Sequence, residues 1–151
     1  MLNWLDSLQI SASGLTAQRL RLDVIANNIA NAQTTRTPQG GPYRREMVQL
    51  SPVYARPTFQ SALTTALGPT AGASPEGAGV TVSGIVQDPS PFKLVYDPSN
   101  PDAVNGYVQM PNVDISTEMV DMVSASRAYE ANVTAFDAGK QLAIDALSLG
   151  K

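Results

Sequence analysis

The side chains that most often do chemistry are either missing from this sequence or scattered along it. There is no Cys and no His among the 151 residues. That removes the thiolate nucleophile, the zinc–thiolate site, the commonest general base and the commonest metal ligand. Carboxylates and amides remain. Asp97, Asn100, Asp102 and Asn105 crowd one short stretch, but a calcium loop needs a Gly at its sixth position and a Glu at its twelfth, and neither is present. Pro98 and Pro101 interrupt the stretch, so the short polar side chains read as Asx turns. Gly77 and Gly79 precede strand-like residues rather than a helix start, so a phosphate cradle is not indicated. Asn132-Val133-Thr134 matches a glycosylation pattern but falls in the middle of a helical stretch. No pair of acids sits in a context that would split their pKa values. The expectation is a chain with no catalytic, cofactor-binding or metal-binding residues: not an enzyme, and without a cofactor.

Two polar clusters stand out instead. Asn27, Asn28 and Asn31 lie within five residues, and Asn is a mediocre helix former because its amide competes for backbone groups. One reading is a polar helix end. The other is a set of inter-helix hydrogen bonds that fixes register, as a seam Asn does in coiled coils. The second cluster is Asp114, Glu118, Asp121, Glu130, Asp137 and Asp145, opposed in that region by Arg127 and Lys140 alone. It is either a solvated acidic face or a face complementary to basic neighbours in an assembly, and the sequence does not separate the two.

The elements that must carry these clusters fall into three segments. Residues 1–35 make an N-terminal axial helix, with the helical pattern running from residue 4 to about 33: Leu8, Leu15, Leu22 and Ile29 recur at a seven-residue interval, and Ile25 fills the same face. Residues 36–111 form a β-rich insert. It opens on the turn cluster Thr37-Pro38-Gln39-Gly40-Gly41-Pro42 and carries strand candidates at 43–50, 80–86, 92–96 and 107–110. Gly84 marks a bulge, and a low-complexity loop occupies about 56–79. Residues 112–151 make a C-terminal axial helix in which Ile115, Met122, Tyr129, Phe136 and Ala143 recur by seven, with Met119, Val133 and Leu147 on a companion row. Gly139 inside that helix costs about 1 kcal/mol relative to Ala, which neighbouring elements must offset. The fold class expected is α+β: long terminal helices packed as a coiled-coil-like pair around a small insert. Such a helix is on the order of 45 Å long, too long for a modest core to cover, so Leu8, Leu15, Leu22, Ile25, Ile29, Met119, Met122, Tyr129, Val133 and Phe136 are the expected assembly interface.

Charge and hydropathy narrow the partners. The formal net charge is −3 and the pI about 4.7, so no concentrated basic surface exists for nucleic acid. The first residues lack the basic start and apolar run of a cleaved secretory signal, and no stretch is long and apolar enough to insert into a membrane.

At the asparagines the sequence resembles a known family. Ile10-Ser-Ala-Ser-Gly-Leu-Thr-Ala-Gln-Arg19 and Leu22-Asp-Val-Ile-Ala-Asn-Asn-Ile-Ala-Asn-Ala-Gln-Thr-Thr35 are similar to the N-terminal signature of bacterial flagellar rod and hook proteins. Gly41-Pro42-Tyr43-Arg44-Arg45, Val82–Pro91, Val95–Asp102, Asn105–Val113 and Glu118–Val133 resemble the proximal-rod branch of that superfamily. The likeness spans about 8–44 and 80–136, and the 56–79 stretch matches no part of the signature. The resemblance implies a structural subunit of the basal-body rod, exported by the flagellar type III apparatus without a cleaved signal. Terminal segments disordered beforehand would become helical on polymerising with other copies and other rod proteins, giving the periplasm-spanning shaft that transmits torque. A soluble helical adaptor, its two helices paired within one monomer, is the alternative. On the rod reading, Leu22→Asp abolishes rod incorporation and swimming while leaving export intact; normal swimming by that variant would exclude the seam.

Overall fold

A computed structural model describes residues 3–54 and 77–149 of the chain. Helix α1 (Asn3–Ala30) comes first, followed by strands β1 (Glu46–Tyr54), β2 (Gly77–Gln87), β3 (Lys93–Tyr96) and β4 (Tyr107–Met110), and helix α2 (Ile115–Leu149) closes the order. The fold is α+β, with the two long helices at the ends and antiparallel strands between them. Most of the 56–79 stretch lies outside the described residues; its last three, Gly77, Ala78 and Gly79, open β2 rather than a loop.

Helix α1 stops at Ala30, short of residue 33. The physical reason is local. Asn31 Nδ2 donates to the Asn27 carbonyl at 3.0 Å and to Asn27 Oδ1 at 2.9 Å, and the backbone then tightens into the three-residue bonds Ala32 N–H to Ile29 and Thr34 N–H to Asn31. Helix α2 begins where Asp114 Oδ1 accepts from the N–H groups of Ser116 and Thr117, an N-cap.

The strands form two separate antiparallel pairs, β1 with β2 and β3 with β4. The register of the first pair shifts between Gln49↔Gly84 and Leu50↔Val82, so the extra residue of the bulge is Ser83, beside the expected Gly84. The second pair is entered through a tight turn. Val104 and Tyr107 exchange both backbone hydrogen bonds, and Asn105 and Gly106 between them have φ of 53° and 80°. An Asn-Gly pair is the sequence that accepts two left-handed residues in succession. Upstream, Asp97 Oδ1 accepts from Ser99 N–H and Asn100 Oδ1 from Asp102 N–H, so these side chains are spent on Asx turns.

The helices pack antiparallel. Leu8 lies against Gly139, Gly14 against Asn132 and Asn28 against Glu118. A Cβ at Gly14 would stand 3.0 Å from Asn132 Nδ2, and one at Gly139 would stand 3.0 Å from Leu8 Cδ2. The mid-helix glycines are therefore sites of close approach, and packing offsets their propensity cost. Among the described residues the apolar core is thin: Ala17, Val24 and Ile25 from α1, Ala125 from α2, Val108 from β4, and Val113 just before α2. Helix α1 also runs along the first strand pair: Asn28 meets the Glu46 backbone at one end, and Val80 N–H donates to Ser13 Oγ at 3.1 Å toward the other.

Beside that contact, Gly79 has φ of +115° and its missing Cβ would press on Ser13 Oγ. Gly79→Ala is expected to destabilise the fold by about 1–3 kcal/mol through backbone strain alone, read as a lowered melting temperature; an unchanged melt would show that β2 does not seat on α1 this way.

Candidate assembly interface and its polar junction

The site is built outward from one buried side chain. Asn28 is 1% exposed, and each of its four hydrogen-bonding positions is filled. Its Nδ2 donates to the Glu46 carbonyl at 2.8 Å and to Glu118 Oε2 at 3.1 Å. Its Oδ1 accepts from the Tyr43 hydroxyl and from Glu46 N–H, both at 2.9 Å. An amide has two donors and two good acceptor positions, so nothing is left unmade. One side chain thus ties the end of α1 to the segment entering β1 and to α2.

Glu118, 0% exposed, takes the second oxygen to Arg45, whose Nε donates to Oε1 at 2.5 Å. Arg45 Nη2 reaches Asp121 Oδ2 at 3.2 Å, and Nη1 stands 3.7 Å from Asp88 Oδ2. Burial alone would lower the Arg45 guanidinium; the hydrogen bond and charge of Glu118, with the charges of Asp121 and Asp88, hold it above its ordinary value instead. Asp88 is held low, first by the Ser90 hydroxyl, then by the Ser90 N–H, with Arg45 adding its charge. Breaking such a buried pair by removing one partner costs roughly 3–5 kcal/mol.

The rest of the Gly41–Arg45 motif finds partners around the same junction. Arg44 donates to the carbonyls of Asp88 at 2.8 Å and Ser90 at 3.2 Å, and its guanidinium sits 4.4 Å from the Phe92 ring centroid. Asn112 accepts from Arg45 N–H and donates to the same two carbonyls. The acids at 118 and 121 therefore do not form a solvated face; their basic partners, Arg45 and Arg21, come from this same chain.

Of the three asparagines, Asn28 reaches the other helix. Asn27 and Asn31 bond to one another, with Asn27 Nδ2 also 3.4 Å from the Tyr43 hydroxyl and Asn31 Oδ1 accepting from Thr34. They close the end of α1. Of the expected interface residues, Ile25 is buried within the chain; Leu8, Leu15, Leu22, Ile29, Met122, Tyr129, Val133 and Phe136 are half-buried; Met119 is 56% exposed.

The rows that meet most closely differ from the leucine rows by one position. On α2 they are Glu118, Ala125, Asn132 and Gly139, and on α1 Ser7, Gly14, Arg21 and Asn28, each spaced by seven. The leucines and aromatics flank this small and polar centre. A search for large apolar repeats passes over it, although the seven-residue recurrence of small and polar types is itself a readable signal. Also unanticipated was the exposed apolar surface of Ile115, Val120 (70% exposed) and Val123 beside Met119 on α2. Leu94, Tyr96, Val104 and Tyr107 are likewise exposed on the second strand pair, with Tyr96 and Tyr107 packed edge to face at 5.3 Å.

Tyr43 supplies a pH signature. Burial, then the charges of Glu46 and Glu118, push its phenol up to about 12. The folded state therefore favours the neutral hydroxyl that donates to Asn28. Its contribution to stability is complete below the unfolded value near 10 and is lost as pH rises through about 12. Tyr43→Phe is expected to lower stability at neutral pH and to flatten the fall between pH 10 and 12 in alkaline unfolding; the same alkaline slope in both proteins would sink this assignment.

The two helices are also where family likeness concentrates. Residues 8–36 match the family described as flagella basal body rod protein, and residues 104–149 match the flagellar basal body rod FlgEFG protein C-terminal family. Over nearly the whole chain the sequence is 51% identical to the flagellar basal-body rod protein FlgC of Bacillus subtilis, covering 96% of this chain and 97% of that one. It is 47% identical to FlgC of Borreliella burgdorferi, covering 95% of each, and 40% identical to FlgC of Salmonella typhimurium, covering 97% and 98%. With identity at this level over nearly the whole of both chains, the chain belongs to the FlgC family of flagellar basal-body rod proteins, and its role is that of a structural rod subunit.

Proposed function

We propose that this chain works in the proximal rod, docking the outer faces of its α1–α2 pair against other copies and other rod proteins in a helical shaft that crosses the periplasm and carries torque. It reaches that place through the flagellar type III export apparatus without a cleaved signal. It performs no catalysis, takes no cofactor, and does not insert into the membrane; among the described residues no helix is long and apolar enough to cross one.

The observation that carries this reading is the apolar surface left on α2 after the helices have paired. Ile115, Met119, Val120 and Val123 lie exposed near its start, and Leu142, Ile144 and Leu147 near its end. Apolar area gains about 25 cal/mol per Å² when removed from water, and exposed rows of this extent mark interaction surfaces in soluble proteins. A neighbour related by a rotation that does not close into a ring extends the contact into a filament. The seam residues Leu8, Leu15, Leu22, Ile29, Met122, Tyr129, Val133 and Phe136, half-covered within the chain, complete their burial there.

The adaptor reading is favoured by one observation, the antiparallel pairing of α1 with α2 that a single chain already makes. The double variant Met119→Asp with Val123→Asp separates the two. Both side chains point away from the pair and are exposed, so helix content is preserved. For a rod subunit, export continues while incorporation into basal bodies and swimming fall to the level of a strain lacking the chain. Wild-type swimming and incorporation by the double variant would overturn the proposal.

A further inference from the structure

The two rows that meet across the helix pair repeat every seven residues, and repetition makes a helix pair ambiguous. Sliding α1 along α2 by one repeat brings Gly14 opposite Ala125 in one direction and opposite Gly139 in the other. Both are smaller than Asn132, which Gly14 faces in the observed register, so neither raises a steric barrier at Gly14. Leu8, Leu15, Leu22 and Ile29 on α1 and Ile115, Met122, Tyr129 and Phe136 on α2 also repeat by seven, so these rows re-pair apolar with apolar. The row of Met119, Val133 and Leu147 is interrupted by Ser126 and Lys140 and discriminates only weakly, because its members stand at the edge of the pair. In one slipped register Arg21 falls opposite Glu118, which would even supply a substitute ion pair. The central small rows therefore do not by themselves distinguish the observed register from the two slipped ones.

Two contacts do not repeat: the seating of β2 on α1, where Ser13 Oγ accepts from Val80 N–H, and the junction at the end of α1, which is the one that reaches α2. One repeat away from Glu118 stand Pro111 and Ala125, and one repeat away from Asn28 stand Arg21 and Thr35. In the observed register Asn28, Glu118 and Arg45 complete one another's hydrogen bonds out of water. In either slipped register Asn28 faces a side chain, Pro111 or Ala125, that cannot accept from it, and Arg45, held in place by its backbone bonds to Asn112 and Asp88, loses Glu118. Buried ionic groups add little net stability over apolar replacements of similar size, and setting register is their best-attested use.

We propose that Asn28, Glu118 and Arg45 act as positioning residues that select a single register for the α1–α2 pair and, through Arg45, lock the β insert to that register. They set where the exposed faces of the subunit lie relative to one another rather than how firmly the helices hold. Register matters to assembly because a slip of one repeat moves one docking face past the other by about 10 Å at 1.5 Å per residue; only this consequence rests on the rod reading above.

The absence of Cys from the chain makes disulfide trapping a direct test. Gly14→Cys with Asn132→Cys reports the observed register, because a Cβ at position 14 meets the Asn132 side chain. Gly14→Cys with Ala125→Cys, and Gly14→Cys with Gly139→Cys, report the slipped ones. Each pair is oxidised in the full chain, both purified and in isolated basal bodies. In the otherwise wild-type chain the 14–132 bridge is expected to exceed the other two at least tenfold. In the triple variant Asn28→Leu, Arg45→Met, Glu118→Leu, helix content persists while the 14–132 bridge falls several-fold and a slipped bridge appears. Glu118→Gln, which still accepts from Asn28, keeps the 14–132 bridge dominant. A triple variant that still forms the 14–132 bridge alone would overturn the proposal. So would one that loses every bridge together with its helix content, since the junction would then serve stability. Cross-linking reads register whether or not the chain enters a rod, so a failure here is distinguishable from a failure of the rod reading, which swimming and incorporation report.

Discussion

Everything in this chain is arranged about a carboxylate and an amide that share a hydrogen bond out of water. Glu118 and Asn28 are each almost completely enclosed, in a molecule whose apolar core is a handful of small and medium side chains. Placing a charge there is costly unless it is paired and its remaining lone pairs are filled. Arg45 supplies the counter-charge, Asn28 fills the other carboxylate oxygen, and the Tyr43 hydroxyl and the Glu46 backbone fill Asn28 in turn. Once that set is complete, three segments distant in sequence have no freedom to move independently. The end of α1, the entry to β1 and the first turns of α2 become one unit.

From that unit the remaining geometry follows. The helices run away from the junction with small residues between them, so their backbones approach closely at Gly14 and Gly139. Close approach leaves little room for large side chains in the centre of the pair and pushes the leucines and aromatics to its flanks. The flanks are half-covered, and the outer face of α2 is scarcely covered at all. The structure is thus well determined at one end by polar geometry and unfinished along its length in apolar burial. For a subunit of a polymer this division has a physical logic. Directional bonds specify one arrangement within the chain, and non-directional burial is kept for contacts between chains.

The insert illustrates how little core a segment needs when its neighbours hold it. The second strand pair is four residues per strand and mostly exposed, yet it is framed by an Asn-Gly turn, by Asx turns, and by Thr35 Oγ1 donating to Asp102 at 2.9 Å. The turn after β2 is held by Arg44, Arg45 and Asn112 together. These are polar and local devices. They give the insert a defined shape without requiring it to bury much of itself.

Sequence alone determined the parts of this picture that repeat or that belong to local chemistry. Seven-residue apolar spacing placed both helices, the prolines and short polar side chains between Asp97 and Asp102 marked Asx turns, and the string of motifs marked the family, because periodicity and turn conformation depend on residues near one another in the chain. Tertiary structure decided the rest. The sequence held Arg45 and Glu118 as two charges 73 residues apart, with nothing local to say that they meet. It held Glu118 among six acids of one helix, and only packing shows that this one is buried. It held three asparagines of equal appearance, and only the position of α2 distinguishes Asn28 from the two that close their own helix. Pairing across long loops depends on which faces come together, and that is a property of the whole fold rather than of any window within it.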